Sequence, residues 1–334
     1  MTNTDKLLEI KNLSVVFPSK NGVVHAVNSI SYDVYRGEVM GIVGESGSGK
    51  SASAYAVMQL LASPGKVTGG DIRFEGKDVL SFSRAELQDF RGSEIGMIFQ
   101  NPMQCLDPVF TIGAQLTETL YAHQKISRAD AVSASVEMLR SVGIHDAENI
   151  MRRYPHELSG GMQQRVMIAI ALLCNPKLLI ADEATTALDV TIQDQIVQLL
   201  KQVKNDRGMS IIFITHNFGL VADICDRVSV MYGGYIMEQG TVDDVFYAPS
   251  HPYTVGLINA IPKADLLSKD RLTPIYGTPI NPFSPPDGCV FHPRCTHCMD
   301  ICRKSKPPVH QVSDGHTASC WLLENADKEA CLNG

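Results

Sequence analysis

Unbroken apolar runs and three- to four-residue periodicities succeed one another along the chain as far as residue 240, and each predicts an element. Val39 to Gly44, "VMGIVG", is continuously apolar and predicts a buried strand; a glycine-rich turn follows, then "KSASAYAVMQLLA", whose composition predicts a helix. Between about 101 and 165 the texture is helical and polar, with "GAQLTETLYAHQ" and "RADAVSASVEMLRSVG" carrying apolar residues three and four apart. "KLLIADE" (177–183) and "SIIFITH" (210–216) are short apolar runs of the kind that parallel strands buried on both faces show. Between them "TIQDQIVQLLKQVK" places Ile192, Ile196, Leu199, Leu200 and Val203 on one helical face. "VSVMYGGYIMEQG" (228–240) reads as two strands around a Gly-Gly turn. This alternation predicts a doubly wound α/β architecture interrupted by a helical insertion. After about 250 the pattern dissolves into a proline-rich, irregular appendix, "TPIYGTPINPFSPPDG" followed by cysteines.

A chain of 334 residues can bury a large core and suggests one big domain with something smaller. Its 29 Lys and Arg against 36 Asp and Glu leave a net charge of -7, without the basic stripe that marks a nucleic-acid partner, so none is expected. The N-terminal "MTNTDKLLEIKNLSVVF" lacks the features of a secretory signal. The longest apolar stretch, "VMIAIALLC" at 166–174, falls far short of the ~20 residues a membrane-spanning helix needs. Any membrane role is therefore expected through a partner, and the expected compartment is the reducing cytosol. That bears on the cysteines. Cys289, Cys295, Cys298, Cys302, Cys320 and Cys331 crowd the tail, while Cys105, Cys174 and Cys225 are scattered. Disulfides, a metal, or clustering without meaning are all open, and a reducing compartment shifts the reading toward metal.

The chemistry-bearing motifs lie where the pattern changes. "GESGSGKS", Gly44 to Ser51, fits the phosphate-loop motif at every fixed position and stands between strand and helix, as the motif requires. The backbone at Gly44, Ser46, Gly47, Ser48 and Gly49, with the following helix N-terminus, is expected to cradle a triphosphate, with Lys50 on the outer phosphates and the Ser51 hydroxyl on magnesium. "LLIADE" ends a buried strand on Asp182, expected toward magnesium, and Glu183, expected toward an attacking water. "LSGGMQQR", Leu158 to Arg165, sets Ser159, Gly160 and Gly161 at a helix start as a second anion-binding nest.

In that order, these three motifs resemble the ATP-binding cassette proteins. The resemblance implies a phosphate-loop ATPase fold with a RecA-like core, an antiparallel β subdomain and a helical subdomain. It also implies a dimer in which the Ser159–Gly161 nest of one subunit closes on ATP held by the other. Further residues match the family's motifs. Gln100, ending "IGMIFQ", resembles the glutamine that senses the γ-phosphate, contacts magnesium and marks the joint to the helical subdomain. His216, ending "FITH", resembles the switch histidine, and Asp189 in "TALD" the loop through which subunits communicate. Phe17 stands where an aromatic ring stacking on adenine is expected, with core packing the alternative. Two positions depart from the family: Ala184 replaces a common proline, and Asn217 a common aspartate.

The tail narrows the resemblance. "HPYTVGLINAIP" (251–262), "TPIYGTPINPFSPPDGC" and the cysteines resemble the C-terminal extension of nucleotide-binding subunits from bacterial oligopeptide, dipeptide and nickel importers, best the first of their two ATPase subunits. This implies a nucleotide-binding domain over 1–250, with its helical subdomain at about 101–165, and an extension over 251–334. The expected activity is ATP hydrolysis powering import of di- or oligopeptides, with nickel or another small solute, or a soluble cassette ATPase outside transport, as alternatives. Expected partners are a paralogous ATPase subunit, two transmembrane permeases that seat on the helical region, and an extracellular substrate-binding lipoprotein. The chain itself is expected at the cytoplasmic face of the membrane. In that family the spacing of Cys289, Cys295, Cys302 and Cys320 matches the pattern holding a 4Fe-4S cluster, with zinc the alternative and Cys298 left over.

Overall fold

Leu178–Asp182 and Ser210–Thr215, the two runs expected as buried parallel strands, are buried at every residue in the computed structural model of the chain, which describes residues 6–184, 190–261 and 274–324. They pair in parallel register from Leu178 opposite Ser210 to Asp182 opposite Ile214. Ile95–Ile98 joins the other edge, Ile95 opposite Leu178 and Ile98 opposite Ala181. These strands, as far as Ile214, belong to one of two compact units, which gathers Lys6, Leu7, Val34–Val39 and the described residues of Val79–Ile214.

The predicted helical texture in this unit becomes helices Ile112–His123, Arg128–Ser141 and Gly160–Leu172. Each begins on a hydroxyl that satisfies an otherwise orphaned amide: Thr111 accepts from Ala114, Ser127 from Asp130, Ser159 from Met162. Ile112, Leu116 and Leu120 form the buried stripe of the first, and Ala131, Ser135, Met138 and Leu139 that of the second. In the helix Val190–Arg207, Ile196, Leu199, Leu200 and Val203 are buried as their spacing predicts, with Ile192 half-buried.

The second unit gathers Leu8–Asp33, Met40–Asp78 and the described residues from Thr215 onward. Val39–Val43 is buried throughout and runs parallel to Arg227–Tyr232, from Met40 opposite Arg227 to Val43 opposite Val230. Arg227–Tyr232 turns back into Tyr235–Thr241 through Gly233 and Gly234, both at positive φ, which is the conformation a tight hairpin demands and the reason for two glycines. A four-stranded sheet in the order Gly22–Tyr35, Lys6–Ser19, Lys66–Phe74, Lys77–Asp78 corresponds to the antiparallel subdomain that the family resemblance implied; hydrophobic patterning alone did not announce it. The helix after the phosphate loop, Lys50–Val57, ends sooner than composition predicts, since Gln59 has turned to a positive φ.

The tail corrects the expectation of an irregular appendix. It contains the helices Pro252–Asn259 and Asp300–Lys304 and the strands His310–Ser313 and His316–Ala318; the second strand pairs antiparallel with Tyr235–Thr241, Glu238 opposite Ala318. Its core is aromatic: the Phe291 ring meets Tyr232 edge-on at 5.3 Å and Tyr253 at 5.2 Å, with Val290 and Met237 alongside. Such short segments carry no readable period, and their burial comes from single aromatic residues far apart in sequence. Among the described residues, no helix is long and apolar enough to cross a membrane.

Candidate functional site

In the second unit, the strand residues Met40–Val43 deliver the chain into the glycine-rich loop. Two glycines there admit no substitute: a Cβ on Gly44 would lie 2.1 Å from the Met231 carbonyl oxygen, and one on Gly49 would lie 2.2 Å from that of Ala26, both at positive φ. Gly49 also opens helix Lys50–Val57, which no side chain caps. The Lys50 side chain bends back across the loop, its Nζ donating to the carbonyls of Gly44 (2.9 Å) and Glu45 (3.0 Å). Ser48 Oγ is buried without a hydrogen-bond partner, while Ser46 and Gly47 are exposed and Ser51 is half-buried. An uncapped helix start, a buried ammonium and an orphaned hydroxyl fit a polyphosphate.

His216 is exposed and follows strand Ser210–Thr215. Asn217 after it caps helix Phe218–Ile224, its Oδ1 accepting from Gly219 N at 2.9 Å. Aspartate would cap equally well, so this departure from the family leaves the local fold intact. Phe17 is half-buried with its ring against Gly65, where a Cβ would come within 2.4 Å of Cε1.

In the first unit, Asp182 ends its strand buried and Glu183 turns the chain at a φ of 46°, a left-handed conformation that costs a non-glycine residue ~1 kcal/mol or more. Two contacts hold it there. Glu183 N donates to Ile214 O at 3.0 Å, and Gln100 Nε2 donates to Glu183 Oε2 at 2.9 Å. Gln100 and Glu183 thus meet directly. Ala184 is buried where the family carries proline. Ser159 caps helix Gly160–Leu172; Gly160 faces open space and Gly161 makes ordinary contact with Ile192. Gln163 Nε2 braces this entrance by donating to the carbonyls of Pro155 and Leu158. Asp189 lies outside the described residues.

Sequence reasoning missed Glu45, Tyr253 and Arg294. The Glu45 amide donates to the Tyr253 hydroxyl at 3.0 Å, and its carboxylate pairs with Arg294. Tyr253 is placed by a buried polar network: His251 Nδ1 accepts from Tyr253 N, Glu238 accepts from the amides of Ser250 and His251, and His316 Nε2 meets Glu238 at 2.8 Å. Burial holds His251 far below the usual histidine range, at about 3, so it stays neutral and can accept. The only sequence signal was His-Pro at 251–252, a helix cap followed by proline in the first turn.

The cysteines do not meet the iron–sulfur expectation. Among the described residues, no group of three or more His, Cys, Asp or Glu side chains could hold a metal ion, and this overturns the 4Fe-4S cluster and its zinc alternative. Cys289, Cys302 and Cys320 are buried, Cys295 and Cys298 half-buried, and all are free thiols. Burial first, then the charges of neighbouring thiols, pushes Cys289 and Cys295 up to about 11, which opposes the thiolate form a metal would need. Cys289 and Cys302, with Cys295 and Cys298 packed alongside, serve the apolar core that the tail shares, where Cys289 N also donates to Cys302 O at 2.8 Å.

Residues 27–186 match the family model described as "ABC transporter", and residues 237–302 match "Oligopeptide/dipeptide transporter, C-terminal region". The chain is 49% identical to the oligopeptide transport ATP-binding protein OppD of Bacillus subtilis, over 97% of this chain and 90% of that one. It is 47% identical to the dipeptide transport ATP-binding protein DppD of the same organism, over 99% and 98%. Among solved structures it resembles the dimeric post-hydrolysis state of the ATP-binding cassette MJ0796 bound to ADP and Pi, at 26% identity and a TM-score of 0.64, covering 70% of this chain and 98% of that one.

Proposed function

Because the chain belongs to the ABC transporter family, as an ATP-binding subunit of the oligopeptide/dipeptide group, we propose that it hydrolyses ATP to power import of di- and oligopeptides through a membrane transporter. The observation that carries this reading is similarity along the whole chain, tail included: the tail is what separates the peptide group from other cassette ATPases.

In this reading the backbone at Gly44, Ser46, Gly47, Ser48 and Gly49 cradles the phosphates of ATP, and Lys50 bears on the outer ones. Ser51, Asp182 and Gln100 would hold magnesium, which supplies charge neutralisation. Glu183 accepts a proton from the water that attacks the γ-phosphorus as the bond to the bridging oxygen breaks. Gln100 orients that carboxylate, and His216 steadies the transferred group. Phosphoryl transfer needs positioning and electrostatics more than covalent help, and this residue set supplies both. Phe17 is proposed against adenine, and Ser159, Gly160 and Gly161 against the ATP of a second, paralogous subunit, with Asp189 in the communicating loop. Residues 1–250 form the nucleotide-binding domain and 251–334 the extension. The helical part around 101–165 receives two permeases, fed by an extracellular substrate-binding lipoprotein, and the chain sits peripherally on the cytoplasmic face. ATP closes the subunits because it binds the closed state better, and hydrolysis removes that preference.

Purification of the tagged chain from solubilised membranes tests this. Two multi-spanning proteins and a second cassette ATPase are expected to come with it; recovery without any membrane protein would overturn the transport reading.

A further inference from the structure

Glu45 occupies the first variable position of the phosphate loop, and every polar group it has is engaged. Its carbonyl accepts from Lys50 Nζ at 3.0 Å and from Ser48 N at 3.2 Å, so it fixes two groups of the proposed phosphate site. Its amide donates to the Tyr253 hydroxyl. Its two carboxylate oxygens receive both arms of the Arg294 guanidinium, Nη1 to Oε2 at 2.6 Å and Nη2 to Oε1 at 3.0 Å. Tyr253 and Arg294 both come from the C-terminal extension, and Arg294 is 249 positions away in the chain.

Arg294 is itself built in. Its side chain is only 4% exposed, against 25% for Glu45. Nε donates to Tyr276 O at 3.1 Å and Nη2 to Ile275 O at 3.2 Å; Nη1 also reaches the Tyr232 hydroxyl at 3.4 Å, with the guanidinium 5.7 Å from the centre of the Tyr232 ring. The tail thus holds a planar, permanently charged fork in one orientation and presents it to a single carboxylate in the loop. A free carboxylate at that position would repel a triphosphate held by the same loop. Pairing cancels its charge and, with Tyr253, clamps the residue that steadies Lys50 and Ser48.

We infer that Arg294, with Tyr253, is a positioning residue for ATP binding: the C-terminal extension sets the affinity of the phosphate loop by neutralising and clamping Glu45. This rests on the reading of Gly44–Ser51 as the ATP site. Arg294 touches no reacting atom in this account, so its loss is felt in binding far more than in turnover at saturation.

The test is a titration of the full-length chain with magnesium and a fluorescent ATP analogue, with unfolding temperature measured in parallel. Arg294→Ala is expected to weaken binding about tenfold, ~1.4 kcal/mol, and Arg294→Lys, which keeps the charge but loses the fork, by less. Adding Glu45→Gln to Arg294→Ala removes the unpaired carboxylate and should restore affinity to within about threefold of wild type, about 0.65 kcal/mol. A merely structural arginine would show no such rescue. Wild-type affinity in Arg294→Ala, or no recovery in a double variant that unfolds cooperatively near the wild-type temperature, overturns the inference. Absence of nucleotide binding by the wild-type chain would instead sink the ATP-site reading, and this inference with it.

Discussion

The phosphate loop, Gly44–Ser51, and the cysteine stretch, 289–302, are each crowded with one residue type, yet they write their chemistry over different distances. Within the loop, Lys50 reaches carbonyls five and six positions back and Ser48 N returns to Glu45 O, so chain closure alone brings the partners together. In the tail the decisive contacts are remote: Arg294 to Glu45, Phe291 to Tyr232, and Glu238 to His316 78 positions on. A motif whose members meet locally needs no remote contact to place them. Cysteine spacing fixes no side-chain direction, and Cys289 and Cys302 went into an apolar cluster.

Two glycine substitutions put the comparison to its hardest test, because their steric problem is the same in both regions. Gly49→Ala would drive a Cβ to 2.2 Å from Ala26 O at a φ of 98°, and Gly288→Ala one to 2.3 Å from Cys302 O at a φ of 70°. Each forces a left-handed residue and a backbone shift, on the order of 1–3 kcal/mol. Gly49→Ala should show the larger functional effect, weakening ATP binding by at least about tenfold in the same titration, since the displaced atoms belong to the proposed phosphate cradle. Gly288→Ala should chiefly lower the unfolding temperature, by roughly 1–2 °C per kcal/mol for a chain of this size, with a smaller loss of affinity. Equal affinity losses would erase the distinction between cradle and support.

A smaller effect belongs to His251. Its pKa falls from 6.5 to about 3 on folding, so below pH 6.5 the unfolded chain binds a proton that the folded chain refuses until about pH 3. The stability this histidine contributes is therefore complete above 6.5 and declines as pH drops toward 3. His251→Asn keeps a helix-capping acceptor without that titration. Thermal unfolding between pH 7 and 4.5 is expected to fall less steeply in the variant than in wild type; parallel curves would show that His251 titrates normally when folded.

The central strands and the hairpin were legible because unbroken apolar runs such as "LLIAD" and a Gly-Gly pair leave few other solutions. The loop and the acidic strand end were legible because strand, glycines and acids are contiguous, and the hydrogen bond from Gln100 to Glu183 follows from two parallel strands ending side by side. Glu183 at a positive φ was not legible, since nothing in its identity forecasts a left-handed residue. The sheet that includes Lys6–Ser19 and Lys66–Phe74 was hidden by bulges that break the alternation between Lys11 and Val15. The tail was hidden because its partners lie in earlier strands.

The central claim, that this chain's ATP hydrolysis drives peptide import, is tested most directly in vesicles reconstituted with the chain and its copurified partners. Labelled peptide uptake and phosphate release would be followed with wild-type protein and with Glu183→Gln. ATP-dependent uptake that Glu183→Gln lowers at least about a hundredfold, with nucleotide binding retained, is the predicted result. Uptake that continues undiminished in Glu183→Gln, or phosphate release with no ATP-dependent uptake, would contradict it.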